Sequence, residues 1–312
     1  MTLPAAFLKL IRWQNLVFIA LTQVLFFYFV LPFVYRVKDP QDLYNLSGNH
    51  FFLLLAASVF IAAGGYIIND YFDVNIDEVN KPSHLIIGKY INRRWAIALH
   101  LLLSFAGLVI SCYIGYRLGN IYIPFFNLLA IVALWFYSTT FKKKLLIGNV
   151  LISLLTAWTI LVITIAEYRT TLPNDLYFVS RLLKLSFLYA GFAFIISLIR
   201  EVIKDMQDMQ GDARYGCRTM PIVWGVPVAK VFAGVWLVVL IGAIAALQFY
   251  VLQMNWWPSA LYSVVLIIIP LLWILQNLYK AQTSADYAKL SSAVKLVMLA
   301  GILSMAFFRI YI

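Results

Sequence analysis

Charged residues are scarce in this sequence. They make up 12% of its 312 residues, whereas hydrophobic residues make up 63%. Soluble globular domains carry about 25% charged residues, so this composition excludes an ordinary water-soluble enzyme and, for the same reason, a disordered chain. The sequence also has only two cysteines and three widely separated histidines. These numbers exclude a disulfide-stapled secreted domain and a histidine-based metal site.

The sequence contains nine long apolar runs with few charged residues. Each run is long enough to cross a bilayer as a helix of about 20 residues, and none shows the alternating pattern of a membrane β-barrel. We therefore expect an all-α, polytopic membrane protein with nine transmembrane helices. The expected ranges are 12–36, 48–69, 95–116, 121–141, 145–167, 177–200, 226–251, 257–279 and 290–311.

The seventh and eighth helices share one uncharged stretch, residues 231–279. This stretch is too long for one crossing at about 1.5 Å per residue. A polar segment at 254–259, which contains two tryptophans and a proline, divides it. Tryptophans are typical of membrane interfaces, so we expect a turn between two helices at this point.

Basic residues are distributed unevenly between the two ends of these helices. With a cytoplasmic N-terminus, 17 of the 24 Lys and Arg residues lie on the cytoplasmic side and 7 on the other side. The positive-inside rule therefore predicts a cytoplasmic N-terminus and a C-terminus on the opposite side, which requires an odd number of helices. The basic excess marks one bilayer face, and we expect no nucleic-acid partner. The oligomeric state is left open.

Acidic residues are concentrated in two short windows. Eight of the 13 lie after the second and sixth apolar runs, at the predicted cytoplasmic face. Three aspartates in each window share one spacing, offset by 135 residues. They are Asp70, Asp73 and Asp77 in the first window and Asp205, Asp208 and Asp212 in the second. Steps of three, four and seven residues return to one face of a helix, so each trio is expected to share a face.

The repeated spacing also suggests how the chain is organised. We expect one transmembrane domain, residues 1–312, that contains two related four-helix repeats and a ninth helix. The expected repeats cover about 12–141 and 145–279, and the ninth helix covers 290–311.

Each carboxylate row needs a compensating cation, because like charges three and four residues apart repel. Carboxylate oxygens suit Mg²⁺, which usually keeps positions for water or substrate phosphate. Two facing rows are therefore expected to clamp a diphosphate through bound metal ions.

Several segments resemble the UbiA superfamily of intramembrane prenyltransferases. Residues 69–77, NDYFDVNID, are similar to its first aspartate motif, and residues 200–212, REVIKDMQDMQGD, to its second. Residues 137–142, YSTTFK, resemble its tyrosine-to-lysine segment, and Arg12 and Asn15 resemble the start of its first helix.

Within the superfamily, residues 200–212 are most similar to those of digeranylgeranylglyceryl phosphate synthases. That subgroup usually has an Arg-Pro pair soon after the first motif, whereas residues 80–88 here read NKPSHLIIG. The similarity of residues 200–212 nevertheless makes a glyceryl phosphate ether lipid, such as geranylgeranylglyceryl phosphate, the favoured acceptor. An aromatic quinone precursor, of the hydroxybenzoate or naphthoate type, is the alternative acceptor, and a cation-coupled transporter is the non-enzyme alternative.

The resemblance implies Mg²⁺-dependent transfer of a prenyl group from a prenyl diphosphate to an acceptor in the bilayer, with two ions expected. The six aspartates named above are the expected catalytic residues. The expected metal ligands are these aspartates together with Asn69 and Glu201. The expected diphosphate or substrate contacts are Arg12, Asn15, Lys81, Arg93, Arg94, Tyr137, Lys142 and Lys204.

Overall fold

The computed structural model describes residues 2–36, 45–80, 85–168 and 175–312. Within these ranges the regular structure is helical, apart from one isolated bridge between Ile87 and Ile91. In chain order the helices are α1 (Leu3–Leu10), α2 (Trp13–Tyr35), α3 (Gly48–Asn80), α4 (Arg93–Arg117), α5 (Tyr122–Thr139), α6 (Ile147–Glu167), α7 (Asp175–Arg214), α8 (Met220–Val223), α9 (Val226–Gln253), α10 (Trp257–Lys280) and α11 (Ser284–Tyr311).

All of these helices except α1 and α8 are long and apolar enough to span a membrane, which gives nine spans in the described ranges. The expected all-α, nine-helix fold is confirmed. The break in residues 231–279 is also present, because α9 ends at Gln253 and α10 begins at Trp257.

Two helices extend well past their expected ends. The helix α3 continues to Asn80 rather than ending at residue 69, and α7 continues to Arg214 rather than ending at residue 200. Apolar residues within both extensions remain buried, among them Val74, Ile76 and Met206. Packing therefore continues where the hydrophobic run stops, and both aspartate motifs lie on regular helix.

Prolines inside two membrane helices are accommodated by local widening. A π-helical turn at Phe26–Val30 comes just before Pro32, and another at Val264–Ile268 comes just before Pro270. Proline has no N–H and its ring clashes with the preceding turn, so a wider turn lets the helix continue. The α2 and α10 helices thus each cross the membrane in one piece.

Small residues bring α3 and α4 into close contact. A Cβ atom on Gly107 would lie 2.7 Å from Ile61 Cγ1 and 3.1 Å from the Ala57 carbonyl oxygen. Nearby, His100 Nδ1 hydrogen-bonds the Gly64 carbonyl oxygen at 2.9 Å. Close approach of backbones at small residues is the usual way in which membrane helices associate. This pairing fixes the position of α3, which carries the first aspartate motif.

A buried carboxylate ties the chain together at the end of the bundle away from the aspartates. Glu167, at the C-terminal end of α6, is 1% exposed. Its Oε1 accepts hydrogen bonds from the Tyr35 hydroxyl at 2.7 Å and the Asn45 backbone N–H at 3.0 Å. Its Oε2 accepts one from the Leu46 backbone N–H at 2.9 Å. One side chain therefore joins α2, α6 and the segment that leads into α3.

We predict that Glu167→Gln destabilises the fold, because an amide nitrogen then faces backbone N–H donors that need an acceptor. The expected loss is about 1–3 kcal/mol, the usual effect of leaving a buried polar group without its partner. Thermal unfolding in detergent measures it, with Glu78→Gln as a control at an exposed carboxylate. An unchanged midpoint in Glu167→Gln would contradict this role.

Candidate active site

A cavity of about 830 Å³ opens inside the helix bundle. One end is lined by the acidic and basic side chains of the two aspartate motifs. The rest is mainly apolar and runs between helices toward the opposite end of the bundle. Residues that line this apolar part include Ile19, Leu155, Phe192, Ile244, Ile267 and Met298. The volume lies within the range of about 300–1,000 Å³ that is typical of ligand pockets.

The first aspartate trio lines this cavity from α3. Asp70, Asp73 and Asp77 all line it, whereas Asn75 and Glu78 are exposed elsewhere on the helix. The spacing of three and four residues therefore selects one face, as the sequence predicts.

The second trio lines the same cavity from α7. Asp205, Asp208 and Asp212 are joined there by Glu201, which is buried. Glu201 Oε1 pairs with Arg200 Nη1 at 3.3 Å, and its Oε2 pairs with Lys204 Nζ at 3.1 Å. In the structure Glu201 and Lys204 thus pair with each other. The sequence predicts Glu201 as a metal ligand and Lys204 as a phosphate contact.

The connection between α5 and α6, together with the first turn of α6, supplies a partner to each motif. Lys142 Nζ donates to Asp73 Oδ1 at 2.5 Å, and Asn149 Nδ2 donates to Asp205 Oδ2 at 2.8 Å. The turn is tight, because a Cβ atom on Gly148 would lie 2.9 Å from Lys142 Cα. Leu146 takes a φ of 56°, a conformation that is uncommon for a bulky residue. This uncommon backbone conformation thus lies between the two residues that reach the carboxylates.

Arg12 approaches the first motif from the junction of α1 and α2. It has a φ of 50°, which breaks the helix and directs its side chain into the cavity. Arg12 Nη2 lies 2.6 Å from Asp70 Oδ1, and the guanidinium lies 5.3 Å from the centre of the Tyr66 ring. The Asp70 carboxylate raises the pKa of the Arg12 guanidinium above its ordinary value. The predicted contact Asn15 also lines the cavity, one turn further along α2.

Tyr137 and Cys217 mark where the two motifs converge. Tyr137, near the C-terminal end of α5, lines the cavity together with the aspartates of both motifs. Cys217 follows α7 and is buried. Burial raises the pKa of the Cys217 thiol to about 11, and the carboxylates of Asp212 and Asp73 add to the increase. Both carboxylate rows therefore act on the same volume.

The donor set fits a hard divalent cation. Asn69 Oδ1 is buried in the cavity wall and has no hydrogen-bond partner among the described residues. No group of three His, Cys, Asp or Glu side chains in those residues is arranged to hold an ion alone. Mg²⁺ commonly takes one or two carboxylates and completes its shell with water and substrate phosphate. The absence of a closed protein cage within the described ranges is therefore compatible with an ion that is bound together with a diphosphate.

Other predicted contacts lie elsewhere. Arg93 and Arg94 are exposed at the start of α4 and are not among the residues that line the cavity. The sequence shows that these arginines follow the first motif, but it does not show whether their side chains face the cavity or the solvent. Lys81 lies outside the described residues. The predicted site omits several residues that line the cavity, among them Tyr66, Arg200 and Lys295. It also omits Asn149, which donates a hydrogen bond to Asp205.

The family profile described as the UbiA prenyltransferase family matches residues 24–300. The chain therefore belongs to the UbiA prenyltransferase family, and it is a multi-pass integral membrane prenyltransferase. The transporter alternative is thereby set aside.

Among curated relatives, the chain is similar to digeranylgeranylglyceryl phosphate synthases. It is 31% identical over 228 residues to that of Methanothermobacter thermautotrophicus, which covers 72% of each chain. It is 27% identical over 301 residues to that of Saccharolobus solfataricus, which covers 96% of this chain and 95% of the relative.

Solved structures share the fold over nearly the whole length. One, from work on digeranylgeranylglyceryl phosphate synthase in membranes, is 25% identical with a TM-score of 0.63, and the match covers 98% of this chain and 99% of that one. A UbiA homologue from Archaeoglobus fulgidus bound to DMAPP and Mg²⁺ is 14% identical with a TM-score of 0.55. That match covers 96% of this chain and 99% of the homologue.

We predict that Lys142→Met lowers kcat/KM about 100-fold, because removing one preorganised donor from an active site commonly costs 10²–10³ in rate. The side chain of Lys142 is 9% exposed and reaches Asp73, whereas Lys144 is exposed two residues later. Lys144→Met is the matched control and is expected to stay within about twofold of wild type. Equal effects in the two variants would contradict a specific role for Lys142.

A second variant tests the turn itself. Gly148→Ala adds no charge and removes no functional group, but its Cβ would collide with the Lys142 backbone. We expect at least a tenfold loss of activity with thermal stability largely retained, since small misplacements of active-site groups can cost about 10²-fold. Wild-type activity in Gly148→Ala would show that the tight turn is not required.

Proposed function

We propose that the chain transfers a prenyl group from a prenyl diphosphate to the hydroxyl of a glyceryl phosphate ether lipid, in an Mg²⁺-dependent reaction. Geranylgeranyl diphosphate and geranylgeranylglyceryl phosphate are the favoured pair. The observation that carries the proposal is the cavity in which carboxylates from α3 and α7 meet Lys142 at one end and apolar side chains continue from it. The choice of acceptor is supported by the curated relatives named digeranylgeranylglyceryl phosphate synthase.

Two Mg²⁺ ions are proposed, one on each carboxylate row. Asn69, Asp70 and Asp73 would hold one, and Asp205 and Asp208 the other, with Asp77 and Asp212 next in line on the same faces. When bound, the ions would neutralise charge on the departing diphosphate. The A. fulgidus homologue solved with DMAPP and Mg²⁺ supports this choice of metal.

The chain's own cations hold the leaving group in this proposal. Lys142 and Arg12, which pair with Asp73 and Asp70, would bind diphosphate oxygens once metal ions engage those carboxylates. The allylic carbon–oxygen bond to the diphosphate breaks, and an ether bond forms to the acceptor oxygen. The hydroxyl proton passes to a basic oxygen, either a carboxylate of the two motifs or a phosphate oxygen of a substrate.

The apolar part of the cavity serves the prenyl chain. Its aliphatic and aromatic walls exclude water, which would otherwise capture the carbocation-like carbon. In this proposal the ring of Tyr137, which lines the cavity, would stabilise positive charge through its face.

The site is proposed to face the cytoplasm. The aspartate ends of α3 and α7 lie at the membrane face to which the positive-inside rule assigns most Lys and Arg residues. The N-terminus is then cytoplasmic and the C-terminus lies on the other side.

Product formation by the purified protein tests the proposal. We expect a prenylated glyceryl phosphate ether, identified by mass, from geranylgeranyl diphosphate, Mg²⁺ and geranylgeranylglyceryl phosphate. EDTA, Asp73→Ala and Asp208→Ala are each expected to lower turnover more than 100-fold, because each removes part of the charge stabilisation of the leaving group. Glu78→Ala, at an exposed acid beside the first motif, is the control and should retain activity.

Two results would contradict the proposal. Full activity of Asp73→Ala or Asp208→Ala would remove the metal assignment. Prenylation of a hydroxybenzoate, with no product from the glyceryl phosphate, would establish the aromatic alternative.

A further inference from the structure

A cation lies deeper in the bundle than any carboxylate of the two motifs. Lys295, on α11, lines the cavity and lies well inside a membrane span. Hydrogen bonds fix its level: Ser284 Oγ donates to the Gln207 carbonyl at 2.9 Å, and Ser304 lies 3.1 Å from the Tyr189 hydroxyl. The helices α7 and α11 are therefore antiparallel.

This register places Lys295 opposite about residue 197 of α7. Residue 197 precedes Asp205 by eight residues, which corresponds to about 12 Å along α7. Lys295 thus lies at the boundary between the charged end of the cavity and its apolar part.

Lys295 is not paired with any acid of the described ranges. Its Nζ donates to Asn15 Oδ1 at 2.9 Å and lies 5.2 Å from the centre of the Phe18 ring. An ionisable residue inside a membrane span is costly and is usually functional. A neutral amide and a ring face are weak compensation for a full charge at this depth.

A second cation faces the same place. Arg200, on α7, lines the same cavity and lies about one helical turn from the level of Lys295. One guanidinium nitrogen contacts Glu201, but the buried Nε has no hydrogen-bond partner among the described residues. Lys295 and Arg200 are thus two like charges that line one cavity at nearly the same level, and a bound anion would stabilise both.

We propose that Lys295 and Arg200, with Asn15, bind the phosphate of the glyceryl phosphate acceptor. This inference rests on the proposed function. The donor diphosphate is assigned to the carboxylate end, where Mg²⁺, Lys142 and Arg12 hold it. A second phosphate needs its own cations, and these lie beyond that end, beside the apolar space that accommodates a lipid chain. Binding there holds the acceptor by its phosphate while its hydroxyl faces the donor.

Lys295→Met tests the proposal because it removes the charge and nearly preserves the shape. Arg200 is less suitable, since its loss also disturbs Glu201. The purified full-length enzyme is assayed with geranylgeranyl diphosphate, Mg²⁺ and either geranylgeranylglyceryl phosphate or its dephosphorylated alcohol. We expect wild type to prefer the phosphate acceptor. Lys295→Met should raise KM for that acceptor at least tenfold, with kcat/KM for the alcohol and KM for the donor changed less than about twofold.

Controls separate this role from a structural one. Lys289→Met, at an exposed lysine on the same helix, should leave the acceptor preference unchanged. Lys295→Arg should restore most of the preference, since it restores the charge. If Lys295→Met does not fold, Lys295→Gln provides a second neutral variant that can still hydrogen-bond to Asn15.

Three outcomes would overturn the inference. An undiminished preference for the phosphate acceptor in both neutral variants would show that Lys295 does not bind it. A higher KM for geranylgeranyl diphosphate instead would assign Lys295 to the donor. A wild-type enzyme that uses neither glyceryl acceptor but prenylates hydroxybenzoate would refute the proposed function itself, and the phosphate site with it.

Discussion

Mutual repulsion between carboxylates is the constraint around which this fold is organised. Seven acidic side chains from α3 and α7 line one cavity inside a membrane protein, where charge is poorly solvated. Two neighbouring contacts reach the two rows: Lys142, in the connection between α5 and α6, pairs with Asp73, and Asn149, in the first turn of α6, bonds Asp205. Between these two residues Leu146 takes a positive φ, and Gly148 packs directly against the Lys142 backbone.

The same arrangement explains how a polar reaction is placed within a lipid-embedded bundle. Charged groups are confined to one end of the cavity, and the apolar remainder suits a chain that arrives from the bilayer. Lys295 and Arg200 line the cavity between these two parts, where the proposal puts the acceptor phosphate. The order of surfaces along the cavity thus matches the order of chemical groups in the proposed substrates.

Much of the fold and of the acidic site is predictable from the sequence, and the reasons are physical. Apolar runs must be helical in a bilayer, and the spacing of Asp70, Asp73 and Asp77 allows only one helix face. The predicted C-terminal ends of α3 and α7 are wrong. The apolar runs end at the aspartate motifs, whereas the helices continue through them to Asn80 and Arg214. Asn149 and Lys295 are missing from the predicted site, because both lie outside the aspartate motifs and no repeated spacing marks them. The arrangement of the nine helices as two related four-helix repeats and a ninth helix stays a prediction.

The binding of Mn²⁺, in place of Mg²⁺, tests the central claim most directly. Its electron paramagnetic resonance signal is followed in purified protein with an unreactive prenyl thiolodiphosphate. The account predicts that tight binding of Mn²⁺ requires the thiolodiphosphate and is lost in both Asp73→Asn and Asp205→Asn, one from each carboxylate row. Tight binding that persists in either variant, or a thiolodiphosphate that binds equally well without any divalent ion, would contradict a leaving group shared between the two rows.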